Sequence, residues 1–597
     1  MFGMNKKESL LLRKFLLFLL PYRRKYLISL AFSFLATLSI LIIPYLSKLA
    51  VDDALINKNM RDFILIGLAA AVIFFVNGFL KAIATFFKKG IRLKVRFDLN
   101  KRVFEYLQNS PLSFFWNKST GEHIFKINYD IEKSIDLVIA VPEDIVSIFP
   151  KLLLILGILL YLDWQMTLAL LIFMPFIYLP IRYFTRLMRK TLEELLADSQ
   201  SLLERLREVF SHMYLIKAFG KEKKEISNYI KSLTRNTQIH LRGVKLQVLS
   251  SLTEETFGRL AVGAMTFFAG YQVIRARISL GTFTAIVIYA TQLIKLQANL
   301  ALFFQRISLG LVSCRRLDQM VDEDLKTKNE SQDKLIVSFK NPRIEFKNVS
   351  FTYKKECDFL KNLSFTIEKG FNSLVGASGC GKTTVINLLL KLYEPCQGQI
   401  CIEGHSLRDL NPSCLKGQIA VSLQEPFLWN DSILNNIKYA RPDASRNEII
   451  ECAKIAGVDD FLKGLNRGYE TIVGENSCKL SEGQKQKIAI ARALIKKPKI
   501  LILDEAMSSM DSLSEEKITS RITKLPIYST IVISHRLSTI MASTLVYFIK
   551  NPETVIIGPP FELIRKDKDF HDLFSAQIAQ LSDYEPSYVS QLNQRLK

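Results

Sequence analysis

Cysteine is missing before position 314: all eight cysteines lie at or after Cys314, and no two stand in the CxxC spacing of a metal or redox site. That placement excludes a disulfide-built domain and fits thiols kept reduced on the cytosolic side. A small-residue cleavage site after the first apolar run is lacking too, so no signal peptide is expected. No peptidase domain is expected ahead of that run, which argues against the processing of leader peptides. Acidic residues are in deficit, 57 against 80 basic ones, and the net charge is +23. Such an excess raises the prospect of nucleic acid, yet its placement argues for another partner. Arg13, Lys14, Arg23, Arg24 and Lys25, then Lys88, Lys89, Arg92, Lys94 and Arg96, cluster beside apolar runs. Basic residues flanking apolar spans mark the cytoplasmic side of a bilayer and suit its anionic leaflet. The expected partner is a lipid bilayer, with no nucleic acid.

What is abundant is unevenly spread. Hydrophobic residues make up 49% of the chain, yet the mean hydropathy is only +0.16. Long apolar runs stop near Leu311 and a charged, mixed region follows, so 597 residues build more than one core. Six runs approach the ~20 residues needed to cross a bilayer as a helix: Leu27–Ala50, Phe63–Ile83, Leu137–Leu162, Met166–Tyr183, Leu252–Ile274 and Thr282–Leu302. Ahead of them Ser9–Tyr22, interrupted by Arg13 and Lys14 and ended by Pro21, reads as an amphipathic helix on the inner surface. The links after the first, third and fifth runs are short. Those after the second and fourth, 87–136 and 186–249, are basic and helical in pattern, and read as spans continuing into the cytosol. An even number of spans places both termini inside.

Polar residues within the spans are sparse. Glu254, Glu255 and Arg259, then Gln292, Lys295, Gln297 and Asn299, stand out, and ionisable groups at membrane depth are expensive enough to mark function. For Glu254, Glu255 and Arg259 a Glu–Arg pair or a helix end at the interface is an equal reading. Lys295 and Gln297 are expected to face a cavity.

From Ile344 the pattern becomes α/β. The segment Gly376-Ala377-Ser378-Gly379-Cys380-Gly381-Lys382-Thr383-Thr384 follows an apolar stretch and precedes a helical one, the strand–loop–helix setting of a phosphate-binding loop. Its glycines let backbone N–H groups converge on phosphates, and the helix N-terminus adds a favourable dipole. Lys382 is expected to reach the terminal phosphates of ATP and the Thr383 hydroxyl to hold Mg²⁺. Further on, Ile500-Leu501-Ile502-Leu503 reads as a buried parallel strand ending in Asp504-Glu505, at the edge where ligands sit in such sheets. Asp504 is expected to hold Mg²⁺, directly or through water, and Glu505 to polarise the attacking water.

Between these lies Leu480-Ser481-Glu482-Gly483-Gln484, running into an apolar helix. The order of motifs resembles the ATP-binding cassette family, and six spans ahead of the cassette resemble its half-size exporters. The resemblance implies an all-α six-helix transmembrane domain over 1–320, a linker over 321–343 and an α/β P-loop NTPase cassette over 344–597. It also implies roles. Tyr353 would stack on adenine, Gln424 would contact Mg²⁺ and sense the membrane half, and His535 would contact the γ-phosphate. Ser481, Gly483 and Gln484 would serve the nucleotide bound by a partner subunit, and Ser508–Asp511 would cross to that subunit. Leu112–Glu122 and Ile216–Gly220 resemble the segments that dock on cassettes, and Thr471–Glu475 the exporter-specific segment before the signature. The family has glycine where this chain has Glu482. The carboxylate is expected to point away from the phosphates, and a heterodimer with a related half-transporter stands beside the homodimer as an alternative.

The implied activity is ATP-driven export of an amphiphile (a lipid, lipid-linked sugar, drug or apolar peptide) from the inner membrane of a bacterium. An ATP-gated channel using the same cassette is the alternative.

Overall fold

The computed structural model describes residues 6–116, 120–322, 335–353, 359–474 and 480–584. Two compact units divide the chain: Met1–Ser110 with Phe114–Thr327, and Pro111–Ser113 with Lys328–Lys597.

The first unit is helical. α1 (Lys6–Leu16) runs through a 3₁₀ turn into α2 (Arg23–Leu49); α3 (Met60–Asn109) follows, then the short α4 (Leu112–Trp116) and α5 (Thr120–Phe125). α6 (Ile131–Leu162), α7 (Trp164–Ser211), the short α8 (Met213–Ala218), α9 (Glu222–Ile274) and α10 (Leu280–Asp322) complete it. Each of the six apolar runs lies within one long helix, and both long links are helical extensions of those runs. Three stretches, Leu10–Leu55, Met60–Asn109 and Gly121–Leu162, are apolar and long enough to cross a membrane by length and composition alone. A shorter apolar helical stretch, Leu280–Leu296, coincides with most of the sixth run.

Burial along α3 separates two solvents. Phe74, Phe75, Phe79 and Phe86 are exposed, whereas Ile91, Val95, Leu99 and Val103, four residues apart, are buried. A water-soluble helix would not expose the more apolar half; a helix that leaves a bilayer for a bundle in water does. Sharp turns join the helices at the other end. Asp163 caps α7 by accepting the N–H groups of Gln165 and Met166 at 2.8 and 3.1 Å, a contribution of about 1 kcal/mol. Asp52 accepts the Gly281 N–H at 2.7 Å. A Cβ at Gly281 would lie 2.4 Å from the Lys48 carbonyl, so only glycine admits this approach.

The N-terminal segment packs one face inward. Leu11, Phe15 and Leu19 are buried, and the Lys14 ammonium reaches Asp318 of α10 at 2.7 Å. One face of the helix therefore packs on the bundle.

The second unit carries three sheets. β1 (Ile344–Phe351), β2 (Leu360–Ile367), β4 (Gln397–Ile402) and β5 (His405–Ser406) form an antiparallel sheet in the order β2-β1-β4-β5. β3 (Gly370–Gly376), β6 (Ile419–Ser422), β9 (Ile500–Asp504), β10 (Ser529–Ile533), β11 (Leu545–Asn551) and β12 (Thr554–Gly558) form the main sheet, ordered β12-β11-β3-β10-β9-β6. β7 (Asp431–Ser432) and β8 (Ile472–Val473) pair as a small ribbon. β9 and β10 are buried throughout, as strands covered on both faces must be.

Part of the expected linker belongs to this unit. Leu335 bridges to Leu410, and Phe339 is buried with its N–H donated to Gln418 at 2.7 Å. Residues 323–334 lie outside the described part, as do 117–119 and Glu475.

Candidate functional site

Topology alone gathers the site. β10 lies between β3 and β9, parallel to both, and β6 lies parallel to β9 on its other side. The carboxyl ends of four neighbouring strands thus deliver the phosphate loop after Gly376, Asp504–Glu505 after β9, Ser534–His535 after β10 and Gln424 after β6. This is the edge at which open parallel sheets bind ligands.

The phosphate loop has the backbone its glycines predict. Gly379 and Gly381 have φ of +82° and +106°, where a side chain would be strained, and Gly381 starts the helix Lys382–Leu389. A Cβ at Gly376 would meet the Cys380 sulfur at 2.5 Å. Ala377, Ser378, Gly379 and Thr383 are exposed and Lys382 is buried. The Lys382 ammonium donates to the carbonyls of Gly376 and Ala377 at 2.8 and 3.0 Å, so it stands over the loop. Thr384 is buried, its hydroxyl 3.0 Å from that of Tyr353. The Tyr353 ring makes edge-on contacts with Phe351, Phe359 and Tyr393, which hold its plane beside the loop.

Three residues expected to act together do meet. Glu505 accepts from the Gln424 amide at 2.8 Å, and its other oxygen lies 3.1 Å from Nε2 of His535. Its φ is +46° and its N–H donates to Ile533 at 3.1 Å. A non-glycine residue in this region costs on the order of 1 kcal/mol and persists where its surroundings fix it. Asp504 is 6% exposed, and its pKa is pushed up to about 6 by burial and by the Glu505 charge, against the opposing pull of the Lys382 ammonium. The carboxylate of Asp504, the hydroxyl of Thr383 and the amide oxygen of Gln424 are hard oxygen donors carried by this strand edge and its phosphate loop. They fit magnesium, which takes one or two carboxylates plus phosphates. Asp504, Thr383 and Gln424 are the residues that would hold it.

Ser481, Gly483 and Gln484 lie elsewhere, at the start of the helix Glu482–Leu494. The Ser481 hydroxyl accepts the Gln484 N–H at 3.3 Å while the Gln484 side chain accepts the Ser481 N–H at 2.9 Å, a reciprocal cap. Gly483 faces Ser509, whose carbonyl would be 2.8 Å from an added Cβ. Glu482 is exposed, and Lys485 reaches it at 2.6 Å. Asp511 caps the helix Ser512–Thr523, accepting the Ser514 N–H at 2.9 Å, which holds its pKa low.

Three further residues hold these parts together. Gln486 is 1% exposed; its amide donates to the Ser508 hydroxyl at 3.3 Å and accepts the Ser509 N–H at 3.1 Å, with the Gln424 carbonyl 3.5 Å away. Arg536 donates to the carbonyls of Ser508 and Met510 at 2.9 and 2.7 Å and pairs with the buried Glu515, which also accepts from Thr539. The only sequence hint was their nearness to motifs: Gln486 follows the signature and Arg536 follows His535.

In the membrane unit the Glu–Arg reading holds for Glu255 and Arg259, which pair one turn apart on an exposed face, whereas Glu254 stands apart from them. Glu143 and Asp144, within the third run and not anticipated, pair with Lys88 at 2.8 Å and Arg306 at 2.7 Å. The Gln297 side chain lies outside the description.

A helical membrane unit fused to a nucleotide cassette with this strand-end site defines a membrane transporter of the half-size exporter kind. The chain belongs to the ABC transporter family: residues 26–296 match the ABC transporter transmembrane region and residues 360–508 match the ABC transporter cassette. It is 32% identical over 540 residues to the ATP-dependent lipid A-core flippase of Syntrophus aciditrophicus, covering 90% of this chain and 89% of that one. A Staphylococcus aureus protein named as a multidrug export ATP-binding/permease protein is 31% identical over 580 residues, covering 95% of this chain and all of the other. Among solved structures, a bacterial Atm1-family ABC exporter with ATP bound superposes with a TM-score of 0.83 at 25% identity, covering 93% of this chain and 99% of that one. Fold and family make the chain a multi-pass exporter, and the relatives' names favour pumping over the gated channel.

Proposed function

We propose that two copies of this chain span the inner membrane of a bacterium six times each, with termini and cassettes in the cytosol. ATP hydrolysis then drives a phosphate-bearing amphiphile outward. The observation that carries the substrate class is a set of lysines. Lys81 of α3 and Lys295 of α10 both act electrostatically on Lys151 of α6. Lys88 and Arg306 are paired with carboxylates, but no such partner stands against these three among the described residues. Like charges gathered at membrane depth without a counter-ion are costly, and an anionic headgroup offsets that cost. The lipid A-core flippase among the relatives is consistent with such a cargo.

ATP binds on the phosphate loop, with Lys382 on its terminal phosphates and Tyr353 against its base. Asp504, Thr383 and Gln424 would hold magnesium, which would neutralise charge on the phosphates. Glu505, held by Gln424 and His535, takes the proton of the attacking water. Ser481 and Gly483 complete the site from the second copy, placing N–H donors of a helix start on the far side of the γ-phosphate. The pair is a homodimer: every part of a composite site occurs in this chain, and Glu482, turned toward Lys485, leaves the signature intact.

The test uses the full chain in lipid nanodiscs, titrated with a phosphate-bearing lipid and with a neutral lipid of the same tails. The doubly substituted Lys151→Ala/Lys295→Ala chain binds the phosphate lipid about tenfold or more weakly, the worth of one charge-assisted contact or better. Equal binding by both chains removes the substrate assignment.

A further inference from the structure

We infer that the cavity between α7, α9 and α10 is a separate binding site for an amphiphile with a single positive charge, with Glu254 as its counter-ion. The cavity has a volume of about 390 Å³, at the lower end of the roughly 300–1,000 Å³ typical of small-molecule sites. Its walls are mostly apolar, with Met188, Leu192 and Leu196 from α7, Ile239 from α9 and Leu309 from α10. Such a lining takes an aromatic or branched aliphatic body.

The charges around it do not balance. Arg189 and Glu193 both line the cavity and pair with each other at 3.5 Å, cancelling. Glu254 is half-buried; burial alone perturbs its carboxylate, with no cation or donor among the described residues acting on it. Its neighbour Glu255 is exposed and already paired with Arg259. Neutral polar residues of α9, Gln247, Ser250 and Ser251, line the cavity beside the apolar ones but do not balance the Glu254 charge; a cation with an apolar body satisfies the charge and the apolar walls at once. A phosphate lipid would be repelled here. The cavity shares no lining residue with the lysine set at Lys81, Lys151 and Lys295.

The probes are tetraphenylphosphonium and tetraphenylborate, ions of the same shape and opposite charge. Their saturable binding to the full chain in nanodiscs is measured by equilibrium dialysis. The wild type binds the phosphonium, and Glu254→Gln weakens that binding about tenfold or more while leaving the borate unchanged or tighter. Gly243→Leu supplies a second variant: a Cβ there makes only ordinary contact, 3.8 Å from Thr191, so the added chain fills the cavity. Phosphonium binding falls in it as well. Glu255→Gln leaves binding as in the wild type. The inference is overturned if the wild type shows no saturable phosphonium binding, if Glu254→Gln binds it as tightly, or if Glu255→Gln loses as much. The inference is independent of the phosphate-lipid reading, because Lys151→Ala/Lys295→Ala should keep phosphonium binding and Glu254→Gln should keep phosphate-lipid binding.

Discussion

Removing Arg536 should cost the cassette more than removing any catalytic side chain. Its guanidinium pairs with Glu515, which is 3% exposed, and donates to two carbonyls of the 508–511 loop. Arg536→Ala leaves a buried carboxylate whose remaining donor is the Thr539 hydroxyl. Breaking a buried pair from one side costs about 3–5 kcal/mol, mainly for the charge left behind. For a domain of this size each kcal/mol lowers the melting temperature by roughly 2–4 °C, so a fall of about 10 °C follows. If the stranded charge is the cause, Glu515→Gln made in the same chain should recover most of the loss, since the amide keeps the Thr539 contact without the charge. Thermal unfolding of the full chain in nanodiscs, followed by intrinsic fluorescence, compares wild type, single variant and double variant. Turnover adds a second readout: the loop carrying Asp511 loses two of its braces in both variants, so activity stays low even where stability returns. A double variant as unstable as Arg536→Ala would refute the buried-charge argument, and full turnover in the double variant would refute the bracing role.

Glu505→Gln should keep ATP affinity and lose nearly all turnover, because an amide fits between Gln424 and His535 but cannot take a proton; hydrolysis near the wild-type rate would remove Glu505 from the chemistry. The Asp504 pKa, about 6 against ~3.9 for an unfolded aspartate, is raised in the fold. Its charged form is therefore destabilising above about pH 6, and that cost, on the order of 3 kcal/mol, is relieved as the pH falls through this window. Magnesium binds the charged form, so the magnesium concentration needed for half-maximal turnover should rise as the pH falls below about 6, with Asp504→Asn showing low turnover and no such dependence. Gly483→Ala places a methyl 2.8 Å from a backbone oxygen of Ser509; it should destabilise by roughly 1–3 kcal/mol, and a melting temperature equal to wild type would count against the close approach.

The parts legible in the sequence are those whose meaning is local. A phosphate loop is nine consecutive residues, and the Asp504–Glu505 strand end is six; their chemistry and their place at a sheet edge follow from short-range pattern. The spans are legible for the same reason, as unbroken apolar runs. What escaped depends on partners far along the chain. Gln486 contacts residues 22, 23 and 62 positions away, and Arg536 and Glu515 are 21 apart. Taken singly, each is an ordinary polar residue on a helix or a loop. Lys81 and Lys151 escaped because one lysine near a span reads as a side chain reaching for the interface; only packing of α3, α6 and α10 sets them together. Glu482 is the converse case. The departure from glycine was plain in the sequence, but its consequence depended on where the first turn of a helix points. In that turn a carboxylate is favoured by the helix dipole, and Lys485, three residues on, lies on the same face. The substitution thus strengthens the helix start that Ser481 caps. A glutamate there suits the start of this helix, and the pairing with Lys485 is what its neighbours allow.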